Sequence, residues 1–169
     1  MELLDIINEN DFVIGRASRE EVYNQKLKHR IVHVFVINPN DKTIYLQKRS
    51  NRVSYLPEHY CTSAGGHVLS GESYESAASR ELKEELGIES NLVKIADSEF
   101  VLEGHSRKVR LFAVFYEGNF NFSDGEVESG KFYGPSEARA LIERGEKIHP
   151  QLEFCFKLLE AYFLNGLTK

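Results

Sequence analysis

A chain of 169 residues, 41% apolar and 28% charged, has the size and composition of one domain with a sizeable core. Its net charge of −5, with no basic run, argues against a nucleic-acid backbone as the main partner. No apolar run reaches membrane-spanning length, and the start Met1-Glu2-Leu3-Leu4-Asp5 lacks the basic residues of a signal peptide. Two cysteines, Cys61 and Cys155, give neither a disulfide framework nor a zinc spacing, so a reducing cytoplasm is the expected setting.

Residues 3–15 alternate apolar and acidic, and Phe12-Val13-Ile14-Gly15 has the form of a short strand with a turn. Ser18-Arg19-Glu20-Glu21 is a capping box that opens a helical turn through Tyr23 and Leu27. Residues 1–28 are thus expected to pack on the core as an N-terminal extension of a single domain spanning 1–169.

Ile31–Ile37 is a continuous β-branched and aromatic run, the pattern of a buried strand. Asn38-Pro39-Asn40-Asp41 is a turn, and Thr43–Gln47 alternates as the partner strand. Lys48, Arg49 and Arg52 follow in an expected loop. Arg49 is the candidate for holding a substrate phosphate; the alternative for all three is an ordinary surface cation.

Tyr60–Ala64 leads into Gly65-Gly66, two glycines that let the backbone approach a ligand closely and expose a carbonyl. Ser73 can cap a helix over Tyr74–Leu86, with Glu75 in its first turn and Gly87 as its stop. In α-helical geometry Glu81, Glu84 and Glu85 fall within roughly a 100° arc, with Leu82 and Leu86 beside it as anchors. Three carboxylates at i, i+3 and i+4 repel one another. They are either a solvated acidic face or the ligands of a hard divalent cation that removes the conflict.

The spacing G-x5-E-x7-R-E-L-x-E-E-x-G-I, complete over Gly66–Ile88, decides between these. A chance match in a chain of this length falls below about one in a million at average residue usage. The stretch resembles the Nudix box, and the chain resembles a Nudix hydrolase. That resemblance implies an α/β fold, an α/β/α sandwich on a mixed sheet, and metal-dependent cleavage of a diphosphate linked to another moiety. It implies Mg²⁺, with Mn²⁺ as the alternative, bound by the Gly66 carbonyl, Glu84 and Glu85. Glu81 would be a further ligand or the general base. Glu72 and Arg80 would orient those carboxylates or complete the metal shell. Small-molecule diphosphates are the implied partners, nucleoside diphosphate derivatives first among them, and a homodimer is an option.

Leu92–Ile95 and Val109–Tyr116 have strand patterns, and Asn119–Gly130 is a polar stretch carrying Asp124, Glu126 and Glu128. Related sequences recruit one more carboxylate from such a stretch, which makes Glu126 the first candidate and Glu128 the second; the alternative is a solvated loop. Ser136–Arg144 and Pro150–Leu164 are expected helices, the latter amphipathic with Pro in its first turn. Of the histidines, His67 follows Gly66 and is a candidate for a substrate or metal contact. His29 and His33 fit structural hydrogen bonding, and His59, His105 and His149 carry no signal.

Lys28–His33 and Gly66–Ser73 are also similar to isopentenyl-diphosphate isomerase, a Nudix-fold enzyme that places a cysteine two residues before the histidine of its glycine-histidine pair. Gly65 stands there in this chain, with Cys61 four residues earlier. Retention of Arg80, Glu81, Glu84 and Glu85 favours a hydrolase over the isomerase, and over a non-catalytic diphosphate-binding module.

Overall fold

The computed structural model describes residues 1–167, and side-chain surroundings up to residue 163. The first residues form a hairpin, β1 (Leu3–Ile7) paired antiparallel with β2 (Val13–Ser18). The expected capping box follows: Ser18 accepts from the Glu21 N–H, and Glu21 reaches back to the Ser18 N–H, opening α1 (Arg19–Asn24). Leu4 and Val22 are fully buried, so this extension is packed down rather than loose.

Seven strands make the main sheet: β3 (His29–Ile37), β4 (Ile44–Arg49), β5 (Tyr60–Cys61), β6 (Ala64–His67), β7 (Val93–Leu102), β8 (His105–Phe115) and β9 (Val127–Tyr133). The central pair β3–β8 is parallel, and the other pairings are antiparallel, so the sheet is mixed. β3 pairs with β6 through residues 31–34 and with β4 only through Val36 and Ile37. The divergence of β4 from β6 along β3 opens the sheet beside Gly65 and Gly66, and a cleft forms there.

Alternation along β3 explains the two-sided core. Ile31, Phe35 and Ile37 face one way, onto α3 (Pro135–Arg144) and α4 (Pro150–Leu167), meeting Leu141, Leu152 and Phe156. Val32, Val34 and Val36 face the other way, onto α2 (Tyr74–Glu81) and its continuation, meeting Ala77, Ala78, Leu82 and Leu86. Helices on both faces of a mixed sheet give the expected α/β/α sandwich.

Three expectations change. Lys48 and Arg49 lie on β4 rather than in a loop, because β4 runs on to pair with β5 and β9. The polar stretch expected over Asn119–Gly130 ends early: Val127 is buried and starts β9, an edge strand paired with β4 whose residues 128–131 are exposed. The helix does reach Leu86, but Leu82–Leu86 forms a π turn closed by Gly87 in the left-handed conformation.

Ser73 caps α2 by accepting from the Ser76 N–H at 3.0 Å. Ser73→Ala is expected to cost about 1 kcal/mol of stability, read as a lower urea midpoint at unchanged m-value. An unchanged midpoint would show that the cap contributes nothing.

Candidate active site

The loop between β6 and α2 is fixed from three directions. Asp5 accepts from the Ser70 hydroxyl at 2.7 Å and the Gly71 N–H at 3.1 Å, tying the loop to β1. Glu72 accepts from the Leu69 N–H at 2.9 Å, closing the loop on itself. Arg80, in the last turn of α2, grips the same Glu72 carboxylate with Nε at 2.8 Å and Nη2 at 3.0 Å. The guanidinium also donates to the His67 carbonyl at 3.0 Å, to Glu81 at 2.8 Å and to Glu84 at 3.2 Å. Arg80 thus joins the glycine loop to the acidic helix. Burial works against it, but this bidentate partner holds Glu72 below the usual carboxylate range.

The glutamates do not share one environment. A π turn widens the helix by one residue and is found often at functional sites. Within it Glu85 points inward, where the residue is only 4% exposed, and Glu84 faces outward. Glu85 accepts from the amide of Gln47 on β4, which also donates to the Ser63 carbonyl at 3.1 Å. No cationic side chain pairs with Glu85 among the described residues. Burial and the charge of Glu81 therefore push its carboxyl well above the ordinary range. Burial likewise lifts Glu81 to about 7, against the pull of Arg80, with Glu84 and Glu126 adding repulsion.

Among the described residues, no three acidic, imidazole or thiol side chains are gathered closely enough to enclose one ion. Arg80 draws Glu81 and Glu84 to itself while Glu85 turns to Gln47, so the single carboxylate cluster expected from α-helical spacing is split. The set nevertheless suits a hard divalent cation: oxygen donors, two of them buried and repelling, one without positive charge beside it.

Backbone geometry explains the two glycines. A Cβ on Gly66 would lie 2.2 Å from Glu81 Oε1, and one on Gly65 would lie 2.6 Å from His33 Nδ1 and 2.8 Å from the Val32 carbonyl. The glycines bring strand β6 against both groups.

A cleft of about 570 Å³ runs from these glutamates to the start of β8. Glu126 faces it from the loop before β9, its carboxyl raised by burial and by Asp124. Glu128 does not line it and pairs with Lys48 at 3.4 Å. Arg49 lines the cleft with its guanidinium on the Tyr55 carbonyl at 3.0 Å. His67 points its ring away from the glutamates, onto the Tyr23 hydroxyl at 2.8 Å, and burial lowers it to about 3. His33 is buried between Thr62 and Gln151 at 2.6 and 2.7 Å, the structural role its position suggests.

Two features had no usable signal in the sequence. Gln47 is an ordinary strand residue by pattern, and only its burial beside Glu85 marks it. His105 and Arg107 at the start of β8 gather with Tyr23, His29 and His67 through contacts between segments far apart in the chain.

Comparison with known proteins identifies the family. The NUDIX domain family matches residues 27–153. A Nudix hydrolase of Nostoc sp., all7351, is 34% identical over 98% of each chain. YfcD of Escherichia coli K12, also a Nudix hydrolase, is 34% identical, covering 84% of this chain and 79% of its own length. The crystal structure of DR0079 from Deinococcus radiodurans superposes with a TM-score of 0.81 at 26% identity, over 95% of this chain and 99% of that one. With the box complete on a glycine loop and acidic helix, and the family match spanning most of the sheet, the chain belongs to the Nudix hydrolase family, enzymes that act on pyrophosphate bonds.

Proposed function

We propose that the chain hydrolyses the diphosphate bond of a nucleoside diphosphate derivative or related organic pyrophosphate, using Mg²⁺, with Mn²⁺ as the alternative. The observation that carries this reading is Glu85: a buried carboxylate beside a second one, with an amide but no cation to balance it. Glu84, Glu85 and the Gly66 carbonyl would hold the ion, with Glu81 and Glu126 reaching it from either side. Bound there, a divalent cation neutralises charge on diphosphate oxygens and lowers the pKa of a water.

The chain's own residues do the rest. Arg80 fixes the glycine loop against the helix and limits how far Glu81 and Glu84 can swing. Glu81, poised near neutral pH at the cleft wall, is suited to take a proton from the attacking water. Arg49 faces the cleft with donors able to bind a phosphate oxygen. Gln47 keeps Glu85 in one rotamer. Residues 1–28 belong to the same domain in this reading, since β1 anchors the catalytic loop through Asp5. A cytoplasmic setting and action without nucleic acid fit the acidic composition, and among the described residues no helix is long and apolar enough to cross a membrane.

The isomerase alternative is disfavoured by Cys61. Its thiol lines the cleft, but burial pushes it up to about 11, poorly placed for proton exchange at neutral pH. A panel of diphosphates, isopentenyl diphosphate among them, tests both readings by phosphate or pyrophosphate release and by product analysis. Release should stop in EDTA and return with Mg²⁺ or Mn²⁺. Full turnover in EDTA would sink the metal mechanism, and dimethylallyl diphosphate formed at enzymatic rates would reverse the choice of reaction.

A further inference from the structure

The end of the cleft away from the glutamates is built around a buried charge. Arg107 is only 7% exposed, and among the described residues it forms no ion pair. Its guanidinium lies over the rings of Tyr23 at 5.5 Å and Phe100 at 5.9 Å. Among the described residues its polar contacts are long ones to a single residue, the His105 carbonyl at 3.3 Å and His105 Nδ1 at 3.4 Å, and its Nε has no partner. A buried cation left in that state costs several kcal/mol unless an anion joins it. Nothing on the surrounding strands is that anion. His29, His67 and His105 gather beside it as imidazoles, and apart from the glutamates of the acidic site the acidic residues lining the cleft, Glu2 and Glu103, are exposed.

Two more cations line the same recess. Arg19, in the first turn of α1, makes no ion pair among the described residues, and Lys26 is held to the Glu103 carbonyl at 2.6 Å. A second buried polar atom is also unpartnered: His29 Nδ1 contacts the Leu27 carbonyl at 3.0 Å, leaving Nε2 without one. The recess and the glutamates meet at His67. Its ring contacts the Tyr23 hydroxyl at 2.8 Å, and its carbonyl accepts from Arg80 at 3.0 Å.

We infer that the Arg107–Arg19–Tyr23 recess is a subsite for an oxyanion, a phosphate or carboxylate carried by the part of the substrate beyond the scissile diphosphate. The inference rests on the hydrolase reading for the word substrate, but the binding itself does not. It narrows the substrate class to diphosphates whose non-reacting moiety bears a further negative charge, and it gives the N-terminal extension a function: α1 supplies both Arg19 and Tyr23.

The test is a titration without turnover. Inorganic phosphate and, in a second arm, acetate are added to the intact protein in EDTA while the arginine Nε–H resonances are followed by ¹H–¹⁵N NMR. In the wild type the Arg107 resonance should shift saturably with phosphate, acetate or both, and the tighter anion identifies the group. Arg107→Met, followed through the Arg19 Nε–H resonance, should weaken binding by at least about tenfold, the loss of a buried charge-assisted contact. Arg19→Ala, at an exposed position that does not threaten folding, should weaken it by about 2–5-fold. Glu85→Gln should leave it unchanged, which separates this site from the acidic one. An unmoved Arg107 resonance, the same affinity in Arg19→Ala, or loss of binding in Glu85→Gln would overturn the inference. Absence of diphosphate hydrolysis alongside intact anion binding would instead overturn the proposed reaction.

Discussion

Glu81→Gln is expected to lower kcat by about 10²–10⁴-fold, the range for loss of a general base, with no rescue by excess Mg²⁺. The expectation comes from position and from titration together. Glu81 is held at the cleft wall between Gly66 and Arg80, and burial sets it near 7, where a base can both accept and release a proton. Glu85→Gln should differ in kind. It removes charge from the buried end of the ion site, so the rate should fall through weaker Mg²⁺ affinity and recover in part at high metal concentration. Equal rescue of both variants would remove the division of labour.

The same group makes a stability prediction whose sign is fixed. A carboxyl raised from an ordinary value of 4.5 to about 7 on folding holds its proton more tightly in the folded state. Its unfavourable contribution is absent below the unfolded value, builds as pH rises from 4.5 to about 7, and stays above that. Metal-free Glu81→Gln should therefore melt higher than metal-free wild type at pH 8, with no such gain at pH 4.5. Adding Mg²⁺ should stabilise the wild type more than Glu85→Gln.

The strands and helices were legible because their signals are local. The apolar run over Ile31–Ile37, the Ser18 and Ser73 caps, and the stop at Gly87 each sit within a few residues of what they specify. The glutamate, arginine and glycine spacing identified the acidic helix for the same reason. What escaped depends on contacts between distant segments. The π turn at Leu82–Leu86 has no composition of its own, and the burial of Glu85 beside an exposed Glu84 shows only once the helix is packed on the sheet. Gln47 is a polar residue in a strand until β4 and the helix bring it against Glu85. Val127 reads as part of a polar stretch because the β9 residues after it, 128–131, are exposed at the sheet edge. His67, adjacent to the glycine loop in sequence, turns its ring to Tyr23 because β6 alternates, placing Gly66 toward the glutamates and His67 toward β3 and α1.

Gly66→Ala is expected to reduce turnover by at least about 10²-fold while the protein still folds. The argument begins with what a Cβ would meet: Glu81 Oε1 at 2.2 Å and its Cδ at 2.5 Å, with no backbone atom among the three nearest. Contacts that close cannot persist, so something must move. The obstacle is the far end of a flexible side chain, and swinging it aside costs far less than unfolding the sheet. At Gly65 the outcome differs, because there the Cβ would also meet the Val32 carbonyl at 2.8 Å, a backbone atom paired across the strand. Gly65→Ala should accordingly lower the melting temperature as well as the rate, whereas Gly66→Ala should leave the melt of the metal-free protein nearly unchanged. The catalytic loss follows from geometry: a carboxylate displaced by about 1 Å from a reacting water costs on the order of 10²-fold. Parallel thermal melts and single-turnover rates on the best substrate from the diphosphate panel separate these effects. A Gly66→Ala protein with normal kcat would show that Glu81 does not act from the position it occupies beside Gly66.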